Sequence, residues 1–239
     1  AVTHQDNTVV AIWYTYNPDG RPTWYTAATT RQADGSYRGN YLLNTGTPLA
    51  QINGSPASTS NMPLGEVDLV FGANGQLDFG FTPTGAANQR RALQPLPLSA
   101  SPLVCNFTSE PRTNATNFTD LWWNPNESGW GLSILNQGNL IFLAWYTYAD
   151  DGQPQWLTSV LTRQADGSYS GRLNRTASGT PYTTPPMGNV TPFPVPEVGD
   201  VTLSFSNGET GTLGYVVDGV TQSKAIQRLV FGTQVQICQ

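Results

Sequence analysis

The strongest constraint on this chain is that it repeats itself. Trp13-Tyr14-Thr15-Tyr16, then Asp19-Gly20, Pro22 and Trp24, returns as Trp145-Tyr146-Thr147-Tyr148, then Asp151-Gly152, Pro154 and Trp156. A second run, Thr-Arg-Gln-Ala-Asp-Gly-Ser-Tyr, stands at both 30–37 and 162–169, so the offset holds at 132 residues. Half of positions 1–40 recur identically at 133–172. A period this long marks two copies of one domain rather than a solenoid of short units. Alternating aromatic and β-branched residues suit a pleated strand. Asp-Gly supplies the turn, because glycine takes positive φ without steric cost. Each copy therefore contains a hairpin.

At 239 residues the chain has room for two domains that each bury a core. Charged residues make up 11%, against about a quarter in an average protein, while glycine (24) and proline (18) are abundant. That mixture fits a turn-rich all-β protein and not disorder. The net charge of −5, with no basic run, argues against a nucleic-acid partner. No apolar stretch is long enough for a transmembrane segment.

The pattern predicts strands at 1–16 with a bend near Asp6-Asn7, then 23–30 and 36–43, a loop at 44–63, and strands around 67–71, 77–81 and 89–96. A proline-rich linker follows. Residues 118–131 form a strand, a turn and the start of a strand with no counterpart in the first copy. The second copy continues at 140–148, 155–162, 168–174, 200–206, 211–217 and 223–231, with a loop at 175–199 that carries six prolines. The domains are thus 1–96, a linker at 97–117, and 118–239. Eight strands on mostly short turns predict an all-β fold of two tandem antiparallel meander β-barrels, the first lacking its opening strand. Paired β-sandwiches are the alternative.

The run Trp122-Trp123-Asn124-Pro125-Asn126-Glu127-Ser128-Gly129-Trp130-Gly131, followed by Gln137-Gly138 and Trp145-Tyr146-Thr147-Tyr148, resembles a repeat found in many secreted or surface-attached proteobacterial proteins. The resemblance covers 118–231 fully and 1–96 without the opening motif. It implies an exported bacterial β-domain and no particular chemistry. The strand plan also resembles avidin-like and lipocalin-like meanders, at the level of fold alone.

Little in the chain suggests catalysis. The one histidine, His4, has Asn136 at its aligned position and no sequence signature of a triad around it. One histidine and two widely spaced cysteines do not make a zinc site, and no cofactor is expected. Asp19, Asp34, Asp151 and Asp166 sit in Asp-Gly turns, where aspartate caps local N–H groups. Glu127 lies in a tight turn between tryptophans, as a turn acceptor or as a polar handle at a barrel mouth contacting a ligand or Arg163. Arg31 and Arg163 occupy the same place in both copies, which suggests a structural ion pair.

The aromatics carry the remaining signal. On the strand at 140–148, Phe142, Ala144, Tyr146 and Tyr148 share one face, and Leu143, Trp145 and Thr147 the other. One face fills the core, and the other meets a second domain, a sugar or an apolar ligand. The ligand or interface candidates are Trp13, Tyr14, Tyr16, Trp24, Trp122, Trp123, Glu127, Trp130, Trp145, Tyr146, Tyr148, Trp156, Arg31 and Arg163. Cys105 and Cys238, which flank the second copy, are expected to bridge and to staple its first and last strands together; two free thiols, or bridges between chains, are the alternatives. The first copy, short of an opening strand, is expected to expose edge groups that invite a strand from elsewhere: either the chain is a fragment of a longer precursor, or another chain supplies the strand in trans, which favours an oligomer or filament. The reading is a non-enzymatic exported protein, extracellular, at the cell surface or periplasmic, that acts by protein association including self-association. The alternative is a module for carbohydrate or a small apolar ligand.

Overall fold

The computed structural model describes residues 1–55, 57–100, 103–183 and 195–239. The first copy folds into seven strands, β1 (Val2–Gln5), β2 (Thr8–Tyr16), β3 (Pro22–Arg31), β4 (Tyr37–Gly46), β5 (Thr59–Phe71), β6 (Leu77–Pro83) and β7 (Gln89–Leu93). They pair antiparallel in sequence order as one curled sheet, left open between β1 and β7. Strand β8 (Cys105–Thr108) follows. The second copy supplies β9 (Asp120–Trp123), β10 (Gly131–Gln137), β11 (Leu140–Tyr148), β12 (Pro154–Arg163), β13 (Tyr169–Arg175), β14 (Glu197–Phe205), β15 (Thr210–Val217) and β16 (Val220–Arg228). These eight close into a barrel. β9 completes the ring, with Trp122 opposite Leu132 of β10 and Arg228 of β16. The fold is therefore all-β, a half-barrel and a barrel in tandem, and not a pair of sandwiches.

Why the sheets curl is visible in the register. Both copies carry an irregularity at the same place, between Tyr41 and Leu42 on β4 and between Leu173 and Asn174 on β13. A bulge bends the strand and sharpens its twist, which turns a flat meander toward closure. The interior of the barrel is filled by Trp122, Trp130, Leu132, Leu143, Trp145, Leu157, Leu203 and Leu213, among others, and that of the half-barrel by Val9, Tyr25, Tyr41, Leu69 and Phe81.

Three sequence expectations need correction. The loop at 44–63 is shorter than expected: β4 runs to Gly46, a single 3-10 turn spans Leu49–Gln51, and β5 starts at Thr59. The linker is not free of structure, because β8 lies within it. It pairs with β17 (Val235–Cys238), and Cys105 and Cys238 face each other there and are bonded. The disulfide thus holds a separate two-stranded ribbon, while β9 closes the barrel. Most of the proline-rich loop, residues 184–194, lies outside the described residues.

Buried charge ties this ribbon to the barrel. Arg112 of the linker donates to Asp120 at 2.7 Å, to Glu209 at 3.1 Å and to the Gln236 carbonyl at 2.7 Å. Arg228 shares Asp120 at 3.3 Å and stacks 5.0 Å from the Trp122 ring centre. Across the chain, Thr3 of the first copy donates to the other Asp120 oxygen at 2.8 Å. With the cysteines at a sequence separation of 133, the chain-entropy argument gives the bond about 3–5 kcal/mol of stability. The prediction is that the paired change Cys105→Ala and Cys238→Ala lowers unfolding free energy by that amount in urea while the far-ultraviolet β signature persists. A midpoint unchanged by the double substitution would count against it.

Candidate functional site

The outward faces of β2–β3 and β11–β12 are aromatic in both copies, and the fold packs them against each other. Ile12, Trp24, Leu121, Tyr146 and Tyr148 are buried there, with Tyr14 and Trp156 half-buried beside them. The arrangement is a pseudo-two-fold. Trp24 of the first copy lies 5.1 Å from Tyr146 and 5.5 Å from Tyr148 of the second. Reciprocally, Trp156 lies 5.4 Å from Tyr14 and 6.1 Å from Tyr16. Residue i meets j while the counterpart of j meets the counterpart of i, the logic of an isologous dimer, here inside one chain. Polar tips break the symmetry. The Trp24 indole donates to the Thr147 carbonyl at 2.9 Å, whereas the Trp156 indole nitrogen is buried with no partner among the described residues. Tyr14 meets Ser133 Oγ at 2.7 Å.

The loops obey the same symmetry. The β4–β5 loop of the first copy sends Leu49 and Ile52 into the core of the second-copy barrel. The β13–β14 loop of the second copy sends Tyr182 into the half-barrel, 5.2 Å from Trp13 and 5.7 Å from Tyr25. Backbone bonds mirror this: Gly46 N–H donates to Gly152 and Gly179 N–H to Gly20, both at 3.0 Å. A side chain at either donor glycine has no room. A Cβ at Gly46 would stand 2.5 Å from the Tyr148 ring, and one at Gly179 would stand 2.2 Å from the Tyr16 ring.

The remaining candidates separate by environment. Trp13, Trp122, Trp130 and Trp145 point into the two cores and are not surface groups. Trp123 is half-buried. Tyr14, Tyr16, Trp24, Tyr146, Tyr148 and Trp156 form the repeat interface. Glu127 does not reach Arg163. It is 1% exposed and meets Lys224, itself 6% exposed, at 2.7 Å. Lys224 also donates to the Ile52 carbonyl at 2.7 Å, and Asn124 donates to Glu127 at 3.3 Å. Arg31 and Arg163 are exposed and form no ion pair among the described residues, contrary to the expectation from their register. Asp19, Asp34, Asp151 and Asp166 each accept the N–H two residues on, as turn caps do. His4 meets the Tyr37 hydroxyl at 2.9 Å and sits edge-on to Phe107, and burial lowers its pKa. Among the described residues no group of three or more His, Cys, Asp or Glu side chains is placed to hold a metal ion, and no helix is long and apolar enough to cross a membrane.

Sequence reasoning missed Lys224, Leu49, Ile52 and Tyr182. Lys224 is the chain's single lysine, which was a signal. Leu49 and Tyr182 stand 133 residues apart, close to the repeat offset, but their side chains differ and periodicity of residue type does not reveal them. Comparison with known proteins adds no identification: no protein-family model matches the chain, and no curated protein and no solved structure matches it.

Three predictions follow from this geometry. Gly179→Ala forces a methyl into the Tyr16 ring, and overpacking of this kind costs about 1–3 kcal/mol; denaturant unfolding measures it, and an unchanged midpoint would contradict the packing. Lys224→Met strands a buried carboxylate at a cost of about 3–5 kcal/mol, whereas adding Glu127→Gln returns most of it, since the amide carries no uncompensated charge and keeps its hydrogen bond with Asn124. A double substitution as unstable as the single one would contradict the pairing. The third concerns alkali. Burial raises the pKa of Tyr14, Tyr146 and Tyr148 above the ordinary value of 10.0. A raised folded-state pKa gives stability that is full below the unfolded pKa and is lost as pH climbs past it. Stability should therefore decline above about pH 10, with phenolate absorbance appearing in step with unfolding. Free titration of all ten tyrosines in the folded protein would contradict this.

Proposed function

We propose that this chain is a non-enzymatic exported β-protein that works by association with other polypeptides, as a subunit of a surface or extracellular assembly. The observation that supports the reading is the repeat interface, where the outer aromatic face of each copy is buried against that of the other, so that this face of the domain is suited to binding protein. The disulfide suits an oxidising compartment, and the low charge content suits an exposed, turn-rich β surface.

The interior geometry disfavours the ligand-binding alternative. A carbohydrate module needs Trp and Tyr faces open to solvent, but most of the aromatics here are spent on the repeat interface or on the cores. A lipocalin-like lumen needs empty volume, but the barrel is plugged by its own side chains and by Leu49 and Ile52. Sedimentation velocity over a concentration series tests the association reading. The expected result is a mass that rises above the monomer at micromolar concentration. A single monomeric species across the whole range would contradict self-assembly.

A further inference from the structure

Three polar side chains converge inside the closed barrel: Glu127 is 1% exposed, Lys224 6% and Asn124 8%. The Glu127 carboxylate bridges the other two. One oxygen accepts from Lys224 Nζ at 2.7 Å, and the other accepts from Asn124 Nδ2 at 3.3 Å. The fold places them. Trp123 at the end of β9 stands opposite Gln227 of β16, and the strands are antiparallel, so the chain leaving β9 at Asn124 runs back along β16 toward Lys224. The turn that follows brings Glu127 between them, its N–H on the Asn124 carbonyl at 3.1 Å. All three side chains line one cavity of about 380 Å³ that opens to solvent.

An ion pair accounts for Lys224 and Glu127 but leaves Asn124 over. Its Oδ1 accepts the Asn126 N–H at 2.9 Å, which an Asx turn explains. The turn does not explain why the amide nitrogen meets a buried acid that also holds the lysine. With its oxygen on an N–H donor and its nitrogen on a proton carrier, the amide is polarised as attack at Cγ requires. Lys224 is fixed as well, because Nζ also donates to the Ile52 carbonyl at 2.7 Å.

We propose that Lys224 and Asn124 join in an isopeptide bond, Nζ to Cγ, with Glu127 carrying the proton and ammonia leaving. Lys224 first passes a proton to Glu127 along their 2.7 Å contact, which turns the buried ion pair into an amine and an acid and removes charge from a place where charge is costly. The freed lone pair forms the Nζ–Cγ bond. Negative charge collects on Oδ1, where the Asn126 N–H already donates. Glu127 hands its proton to Nδ2, the Cγ–Nδ2 bond breaks and ammonia departs. Glu127 then takes the surplus proton from Nζ and gives it up to the ammonia. One ammonium and one amide enter, one amide and one ammonium leave, and nothing is oxidised or reduced.

The bond falls where the barrel is held least. Two residue pairs join β16 to β9, where eight join β15 to β16. The link ties the end of the first barrel strand to the last strand, a task the disulfide does not perform because it holds the separate ribbon. Lys224→Met and its double with Glu127→Gln both lack the bond, so the comparison between them reads the ion pair alone.

Intact-mass measurement on the folded protein, residues 1–239, with the disulfide reduced, is the test. The expected mass is below that of the sequence by one ammonia. A tryptic digest should yield a branched fragment that joins the peptide bearing Asn124 to one bearing an uncleaved Lys224. Asn124 does not lose ammonia by ring closure onto the next backbone nitrogen, because Pro125 has no N–H there. Ring closure at another asparagine gives the mass loss without the branch. Lys224→Arg keeps the charge but removes the amine, and Asn124→Ala removes the amide; both are expected at full mass. Glu127→Gln keeps both reactants and is expected to form no branch. The unsubstituted protein decides the matter even if these variants unfold. Full mass after prolonged incubation in the folded state overturns the proposal, and so does an ammonia loss with no branched fragment. A branch that forms as fast in Glu127→Gln overturns the role given to Glu127.

Discussion

A strand that is aromatic on both faces needs two covers, and the rest of this molecule follows from that need. On β11, Leu143 and Trp145 face the barrel interior while Tyr146 and Tyr148 face out. On β2, Val9 and Trp13 face in while Ile12, Tyr14 and Tyr16 face out. Leaving the outer rings in water would forfeit roughly 25 cal/mol for each Å² of apolar area. Duplication supplies a second identical face, and the pseudo-two-fold brings the two together. Trp24 over the Tyr146–Tyr148 pair and Trp156 over the Tyr14–Tyr16 pair are one contact made twice.

The loops then have a fixed task. Each β-hairpin tip lies beside the partner copy's long loop, as the paired bonds of Gly46 to Gly152 and Gly179 to Gly20 attest. Each loop enters the other's mouth, Leu49 and Ile52 in one direction and Tyr182 in the other. Exchange of this kind removes the lumen that an eight-stranded barrel might otherwise offer to a ligand. The copies also differ at the seam between β1 and β7. Where β9 and its turn close the barrel, residues 1–239 give the half-barrel no corresponding strand, and Val2 and Leu93 are exposed there.

Much of this architecture was legible in the sequence, because its signals are local. Asp-Gly turns, alternating aromatics and the 132-residue offset place the strands of both copies, and the shortfall of the first copy follows from alignment alone. The cysteine pairing was legible from position, but its setting was not: β8 is a four-residue strand in a proline-rich stretch, and such a strand forms only because β17 lies beside it. Glu127 was singled out, but its partner was not, since Lys224 is 97 residues away and inward-facing lysine breaks the apolar alternation of its strand. Arg31 and Arg163 misled for the opposite reason. They recur in a repeated run, but both sit at exposed strand ends where repetition reflects shared ancestry of the turn rather than a shared partner. Side-chain insertion from a loop into another domain has no periodic signature, so nothing in the sequence marks Leu49, Ile52 and Tyr182.

The central structural claim is that, within residues 1–239, one copy is open where its twin is closed. The most direct measurement is paramagnetic relaxation of methyl protons by a neutral, soluble gadolinium chelate, with residues 1–239 at a concentration low enough to hold the monomer. The internal repeat supplies the control. The account predicts strong relaxation at the Val2 and Leu93 methyls and weak relaxation at those of Ile134 and Ile226. Equal protection of all four would mean that the half-barrel is already closed, and would contradict the account.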